Sequence, residues 1–495
     1  MLDNIKSAAK GTIIYGFANV SIKLIGVILI PIYTNYKYLS KTDFGVLGIM
    51  DISYQLVIIV FGLALYQSLA RWYFDPQHKD SQKSMHFTVI ALNGFLCAIT
   101  FLFVYRYSTK LSGLLFDSPD YGRLVWIMFA SASVNILTTV SMMLLRLQEK
   151  ALKYATISVI KLLVTLSVTV FLVVKMHRSV LGVYEATLIG ELTGLVLISR
   201  DIIRNSVLKF EFQKLVNMLG YGFPLMLAAV STVLLNTIDR YSLNYLADLD
   251  AVGTYTLAFR ISNTIKVVVI TSIQLSLVPI FFKKLGDGDL KRFISKSMNY
   301  SALIVMLTVV GISIYSIEII KVFSSNMSYW KAAEIVPILA FSMVFVMMKE
   351  NVLIGLQITK SSFTMGTLIA LTALFNLGMN MLLIPKYVLY GAAASTIISQ
   401  IGMFLLFYFV AQRKYSIPYE LKNLFVLIFI GFILYLISII SDDWNLLARL
   451  AFKTALMISY PFLLIMVRFF EPIEIQRGME FLRKYRNKIF RKSLR

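Results

Sequence analysis

Ionisable side chains lie deep inside long apolar stretches of this chain: Lys23, Asp51, Lys161, Glu191, Arg260 and Lys266. At the centre of a membrane helix such a group costs at least about 2.5–3.5 kcal/mol on insertion scales, so it marks a pathway, a ligand site or a pair. Tyr15, Asn19 and Lys23 recur at i, i+4 and i+8 and share one helix face. Ser158, Lys161 and Thr165 form a second stripe; Arg260, Asn263, Thr271 and Gln274 a third; and Asp51, Gln55, Gly62 and Tyr66 a fourth. Lys266 sits about 120° around its helix from Arg260, so those two need not act together. Stripes of cations and amides on different helices predict a water-filled, mostly basic cavity. Its chemistry is anion binding.

Each residue also has a structural reading. Lys161 and Glu191 fall at similar depth, about 12–17 Å from one helix end at 1.5 Å per residue, so an interhelix ion pair competes with a ligand role. Lys23 has no acidic residue at matched depth on its neighbouring helix. Lys349 and Glu350 are adjacent and are expected to point in different directions. Arg449 and Lys453 are expected to snorkel to the interface. Asn135, Asn376 and Asn380 either line a path or join helices.

The elements that hold these side chains are transmembrane helices. The chain has 495 residues, of which 58% are hydrophobic and 15% charged, against roughly 25% charged in soluble domains. About fourteen apolar stretches are long enough to cross roughly 30 Å of hydrocarbon. They begin near Gly11, Phe44, Ser84, Tyr121, Lys150, Ser179, Lys214, Ala251, Arg292, Ala333, Ser361, Tyr390, Lys422 and Asn445. The class is an all-α polytopic membrane protein. The net charge of +22 follows topology: with both termini cytoplasmic, roughly 30 of the 48 Lys and Arg lie on that side and about 11 on the other. This positive-inside bias indicates a multi-pass protein of the cell inner membrane and excludes a nucleic-acid role. Residues 1–10 lack a short apolar core and a cleavage site, so no removed signal peptide is expected. The basic tail, residues 471–495, is expected to meet anionic lipid headgroups, as an amphipathic helix or as a simple charge anchor.

An internal repeat organises the stretches. Tyr15-Gly16-Phe17 and Tyr221-Gly222-Phe223 open the first and seventh; Asp43-Phe44-Gly45 and Asp250-Ala251-Val252-Gly253 open the second and eighth. An even number of spans separates the copies, which predicts two parallel six-helix lobes, residues 1–205 and 206–415. Two further helices, 416–470, and the tail stand outside the repeat. Counted from the aligned glycines, Asp51 and Arg260 fall at nearly the same depth on opposite lobes, which predicts a gate ion pair. No phosphate-binding loop is present, and the three histidines, His78, His86 and His177, form no plausible metal cluster. Gly286-Asp287-Gly288-Asp289 is an acidic turn. The single Cys97 permits no intrachain disulfide. No catalytic residue, metal or cofactor is expected.

Asp239-Arg240-Tyr241 with Val252-Gly253-Thr254-Tyr255, Tyr221-Gly222-Phe223-Pro224, Ile384-Pro385-Lys386-Tyr387 with Gly391-Ala392-Ala393-Ala394-Ser395, and Asp43-Phe44-Gly45 together resemble, in order and spacing, the O-antigen-type flippases for lipid-linked oligosaccharides. These belong to the multidrug/oligosaccharidyl-lipid/polysaccharide exporter superfamily. The resemblance implies two lobes that rock between inward-open and outward-open states. It implies a polyprenyl-diphosphate oligosaccharide, such as an O-antigen or other surface-polysaccharide repeat unit, carried to the periplasmic leaflet. By depth and lobe, Asn19, Lys23, Lys161, Arg260 and Lys266 are the substrate-binding candidates, and Asp51, Glu191 and Asp239 the candidates for gating or ion coupling. Helices thirteen and fourteen are expected to help hold the lipid tail. A potential negative inside favours outward movement of an anion by about 2.3 kcal/mol per charge per 100 mV, so no ATP is expected, while proton or sodium coupling stays open. A monomer is expected. The alternatives are a cation-coupled drug exporter, which wants an acidic cavity, a peptidoglycan-precursor or teichuronic-type flippase, and a membrane-embedded glycan polymerase or ligase.

Overall fold

The computed structural model describes residues 28–75 and 80–470. Among these residues every regular element is helical. In chain order the helices are α1 (Ile30–Tyr33), α2 (Lys41–Gly62), α3 (Leu65–Tyr73), α4 (Gln82–Phe116), α5 (Gly122–Leu147), α6 (Ala151–Val170) with a π-helical turn closing it (Phe171–Lys175), α7 (Ser179–Arg204) and α8 (Phe212–Leu246). There follow α9 (Leu249–Thr264), a π-helical segment (Ile265–Ile270), α10 (Thr271–Lys283), α11 (Leu290–Ile314), α12 (Ser316–Phe323), α13 (Ala332–Ile358), α14 (Ser362–Lys414), α15 (Leu421–Ile439) and α16 (Leu446–Met466).

Twelve helices among the described residues are long and apolar enough to cross a membrane. One of them is two crossings. With 53 residues, α14 would reach about 80 Å if straight, far beyond the bilayer core. It folds back at Val388 (φ 45°, ψ −111°), and Asn376 Nδ2 on the first arm bonds Ser395 Oγ (3.3 Å) and Ser399 Oγ (3.2 Å) on the second. A Cβ on Gly391 would collide with the carbonyl oxygen of Leu383, so the glycine permits the tight reversal. The described crossings are therefore the thirteen that follow the first apolar stretch, and most start within three residues of the positions read from the sequence. The first stretch, with Tyr15, Asn19 and Lys23, and the basic tail lie outside the described residues.

The repeated glycine motifs meet at one end of the bundle. There Ser40 caps α2 in a reciprocal box, its Oγ accepting from Asp43 N (3.0 Å) while Asp43 Oδ2 accepts from Ser40 N (3.1 Å). Asp248 caps α9 by accepting from Ala251 N at 2.6 Å. From this capped end α2 and α9 cross backbone against backbone. A Cβ on Gly45 would run into Leu249 O, and one on Gly253 would lie 2.6 Å from Lys41 O. Thr42 Oγ1 donates to Asp250 Oδ1 across the crossing at 2.7 Å. Small residues set such crossings in membranes because packing, not water exclusion, drives association.

Below the capped end both helices are interrupted. α2 stops at Gly62, and Leu63 and Ala64 are both left-handed (φ 50°) before α3 resumes. α9 passes into its π-segment, where Thr271 N donates to Lys266 O, five residues back.

The last two helices are locked on by polar contacts. Tyr460 OH on α16 donates to Leu427 O on α15 at 2.9 Å. Glu420, ahead of α15, pairs with Lys296 (2.8 Å) and accepts from Asn299 (2.6 Å). Partial burial is the largest single influence and raises its carboxyl, but Lys296 together with the hydrogen bonds from Asn299 and Asn423 holds it below the usual carboxylate range. Contrary to expectation, Arg449 and Lys453 do not snorkel. Lys453 is 1% exposed, with Nζ 3.2 Å from Glu318 Oε2 and 2.9 Å from Asp442 Oδ1, and Arg449 Nε lies 2.7 Å from Glu318 Oε1. Two carboxylates supplied by α12 and the α15–α16 turn hold the cations inside. Lys349 and Glu350 likewise do not diverge, since their side chains bond each other along α13.

Two outcomes are expected. Gly45→Ala should destabilise the detergent-solubilised protein by about 1–3 kcal/mol through forced separation of α2 and α9. Gly366→Ala, where an added Cβ meets nothing within 4 Å, should not; thermal unfolding of both variants checks this. Glu318→Gln should cost about 3–5 kcal/mol, the penalty for taking the carboxylate from buried Arg449 and leaving Lys453 with Asp442 alone, measured the same way.

Candidate functional site

A cavity of about 540 Å³ lies between α2, α8, α9 and the π-segment. Its wall carries Asp51 and Gln55 from α2; Thr232, Asn236, Thr237 and Arg240 from α8; and Phe259, Arg260, Asn263, Lys266 and Thr271 from the α9–α10 run. Among these described residues three cations face one carboxylate, a balance of +2. The rest of the polar wall is neutral amide and hydroxyl. A wall of this kind can replace the hydration of an anion while offering donors and acceptors to neutral polar groups.

Asp51 and Arg260, paired by the repeat, touch: Arg260 Nη2 donates to Asp51 Oδ2 at 2.6 Å. Tyr184 OH on α7 donates to Asp51 Oδ1 at 3.1 Å. The guanidinium stacks 5.2 Å from the Phe44 ring centroid and 5.7 Å from Tyr33. This contact bridges α2 and α9 between the glycine crossing and the cavity. Nearby, Ser53 Oγ and Tyr241 OH lie 2.8 Å apart, joining α2 to α8.

Arg240 is the cation that sequence reasoning passed over, noting it only within a motif. It is 6% exposed, packs 4.3 Å over the Phe259 ring, and its Nε has no hydrogen-bond partner among the described residues. A buried guanidinium so placed is short of partners and primed for an anion. The signal was available, since Thr232, Asn236 and Arg240 recur at i, i+4 and i+8, the stripe pattern sought on other helices.

Lys266 lines the same cavity as Arg260, with Nζ 3.2 Å from Asn236 Oδ1. The expectation that the two need not act together assumed a regular helix, and the π-segment starting at Ile265 breaks that regularity. Asn263 and Thr271 of the stripe face the cavity; Gln274 is not among its lining residues. Asn19 and Lys23 fall outside the described residues.

Lys161 is an ion-pair residue. Its Nζ lies 2.6 Å from Glu191 Oε2, and Glu191 also accepts from Tyr54 OH (3.1 Å) and Asn135 Nδ2 (2.9 Å). Beyond that pair Lys161 borders a smaller cavity of about 140 Å³ with Tyr66, Arg146, Tyr154 and Ser158, so the structure puts it apart from the main cavity's lining. Thr165, third in that stripe, packs on Gly190 of α7 instead.

Asp239 is 1% exposed and turns away from the cavity that its neighbour Arg240 lines. It accepts from Asn380 Nδ2 (2.8 Å), Thr396 Oγ1 (2.8 Å) and Tyr255 OH (2.9 Å). Asn135, Asn376 and Asn380 thus all join helices. Of the three acidic candidates, Asp51 and Glu191 face cations, whereas neutral donors surround Asp239.

Comparisons with known proteins agree with this architecture. An uncharacterized membrane protein of Methanocaldococcus jannaschii is 27% identical over 220 residues, 43% of this chain; the match spans 40% of that relative's length. Among solved structures, a lipid II flippase MurJ in an inward closed conformation superposes with TM-score 0.71 at 16% identity, covering 92% of this chain and 99% of the other. An inward-facing multidrug resistance MATE transporter of the MOP superfamily gives 0.66 at 13% identity (80% and 97% covered), and an outward-facing one 0.59 at 14% (82% and 95%). The model of the family described as polysaccharide biosynthesis protein matches residues 8–284, more than half of the chain. The chain therefore belongs to the polysaccharide biosynthesis protein family, and it is a multi-span membrane protein with the fold of MurJ and the MATE proteins.

Proposed function

We propose that the protein flips a polyprenyl-diphosphate-linked oligosaccharide from the cytoplasmic to the periplasmic leaflet of the inner membrane, by alternating access between lobes 1–205 and 206–415. The observation that carries this is the main cavity: three cations against one carboxylate, in a wall otherwise of amides and hydroxyls. A diphosphate brings about two negative charges, and Arg240, Arg260 and Lys266 replace part of its hydration. The polyprenol stays in the bilayer. The excess of Lys and Arg on one side supports a topology with the capped end in the periplasm and both termini in the cytoplasm.

In this reading the Asp51–Arg260 contact and the glycine crossing close the periplasmic side, and the cavity beneath them is loaded from the cytoplasm. Opening outward separates α2 from α9, and an incoming anion on Arg260 competes with Asp51 for the guanidinium. A cationic drug meets the wrong sign here. A peptidoglycan precursor shares the diphosphate, and the family's description favours the polysaccharide precursor.

The membrane potential supplies the outward drive, about 4–5 kcal/mol for two charges at 100 mV. Any coupled proton or sodium ion is assigned to Asp239, whose carboxylate faces neutral donors and adjoins Arg240 in sequence. The protein works as a monomer, with anionic lipids against its basic tail.

Transport in proteoliposomes with an imposed potential is the test. The substrate is the lipid-linked oligosaccharide that accumulates in cells lacking this protein. Flipping should rise with inside-negative potential, and Arg240→Gln should reduce it by about tenfold to a hundredfold, the loss of one charge-assisted contact. Cysteines at Asp51 and Arg260 should crosslink in the inward state and block transport when joined. Flipping indifferent to Arg240→Gln and to potential sinks the reading. Asp239→Asn should abolish dependence on an ion gradient if one is found.

A further inference from the structure

A second cavity of about 140 Å³ lies where α2 breaks, lined by Gly62, Ala64, Tyr66, Gln67, Asn93, Thr139 and, from α8, Ala229 among apolar neighbours. Asn93 on α4 is 0% exposed, yet among the described residues neither its Nδ2 nor its Oδ1 has a hydrogen-bond partner. An amide buried with both groups unsatisfied costs about 1–3 kcal/mol per group, and apolar neighbours at Ile58, Ile59, Ile136 and Val140 offer no relief. That cost persists only if something else fills the amide's valences.

The local backbone points the same way. Leu63 and Ala64 are consecutive non-glycine residues with φ 50°, a conformation that costs about 1–3 kcal/mol per residue and clusters at ligand sites. The break is the counterpart of the π-segment: counted from the aligned Gly45 and Gly253, interruptions fall at similar depth in α2 and in the α9–α10 run. Interrupted helices at corresponding positions of two repeats mark binding sites in transporters. The π-segment borders the cationic cavity. The break in α2 borders this one, and no charged residue is among its described lining.

We infer that the Asn93 cavity is a carbohydrate subsite, taking hydroxyl or acetamido groups of an uncharged sugar in the transported oligosaccharide. Asn93 offers two donors and an acceptor; beside it Gln67 Nε2 donates to Tyr66 OH (2.7 Å) and Thr139 Oγ1 to Asn135 Oδ1 (3.3 Å), which leaves the Gln67 and Thr139 oxygens as further acceptors. Lack of charge separates its ligand from the diphosphate, which the main cavity takes. Ala229 sits three residues before Thr232 of the main cavity on α8, and Ile58 three after Gln55 on α2, so the two sites follow one another along the same pair of helices. Sugar and diphosphate of one molecule then occupy both at once. This rests on the oligosaccharide reading above.

The test compares two substrates in the same proteoliposomes: the lipid-linked oligosaccharide accumulated by cells lacking this protein, and bare polyprenyl diphosphate. Asn93→Leu keeps shape and removes the amide. It should lower flipping of the oligosaccharide form about fivefold to tenfold, the loss of one or two hydrogen bonds, and leave the bare diphosphate unchanged. Thermal stability should be unchanged or higher, since an unsatisfied buried amide is gone. Arg240→Gln should lower both substrates alike. If the intact protein moves neither substrate, the flippase reading fails. If it moves both and Asn93→Leu spares the oligosaccharide, or slows both equally with lost stability, the subsite is wrong and Asn93 serves only the fold.

Discussion

Charge buried in a helical bundle must be matched by a partner, and this requirement decides how the helices of this membrane protein are joined. Glu191 gathers Lys161, Tyr54 and Asn135 from three other helices. Glu318 holds Arg449 and Lys453, and Asp51 holds Arg260. Each carboxylate is a node where segments remote in sequence meet, because hydrocarbon provides no alternative to the partner. The main cavity is where the matching stops short. There the cations outnumber the acid, and in the proposed function that deficit is what attracts an anionic guest.

The same accounting explains why the bundle can be both firm and mobile. Apolar side chains pack as well against lipid as against each other, so they bind helices together weakly. The glycine crossing of α2 and α9 gains from close backbone approach, and the polar nodes fix register. Between the crossing and the cavity, a single ion pair on aromatic faces carries the contact between the two repeats. Under the proposed function, a substrate phosphate would exchange for one half of that pair at little net loss of electrostatic energy.

Much of this was legible in the sequence. Long apolar runs name their own helices, since nothing else satisfies the backbone in hydrocarbon, and the Asp51–Arg260 contact followed from the repeat because symmetry carries information across the chain. What stayed hidden depends on neighbours that symmetry does not supply. Arg449 and Lys453 read as interfacial until Glu318 and Asp442 arrive from other elements. Arg240 read as a motif letter, although its stripe with Asn236 and Thr232 was visible. The π-segment that carries Lys266, which lines the same cavity as Arg260, leaves no mark in a periodicity that assumes 3.6 residues per turn.

The buried cluster around Glu318 also has a consequence in time. Glu318 precedes Lys453 by 135 residues, so at synthesis rates of about 5–20 residues per second it waits roughly 7–27 s for its counter-charge. During that interval α12 must shelter an orphan carboxylate, in the insertion machinery or at the headgroup layer. The cluster around Glu318 can then close only when α16 arrives, so this part of the bundle assembles later than the early helices.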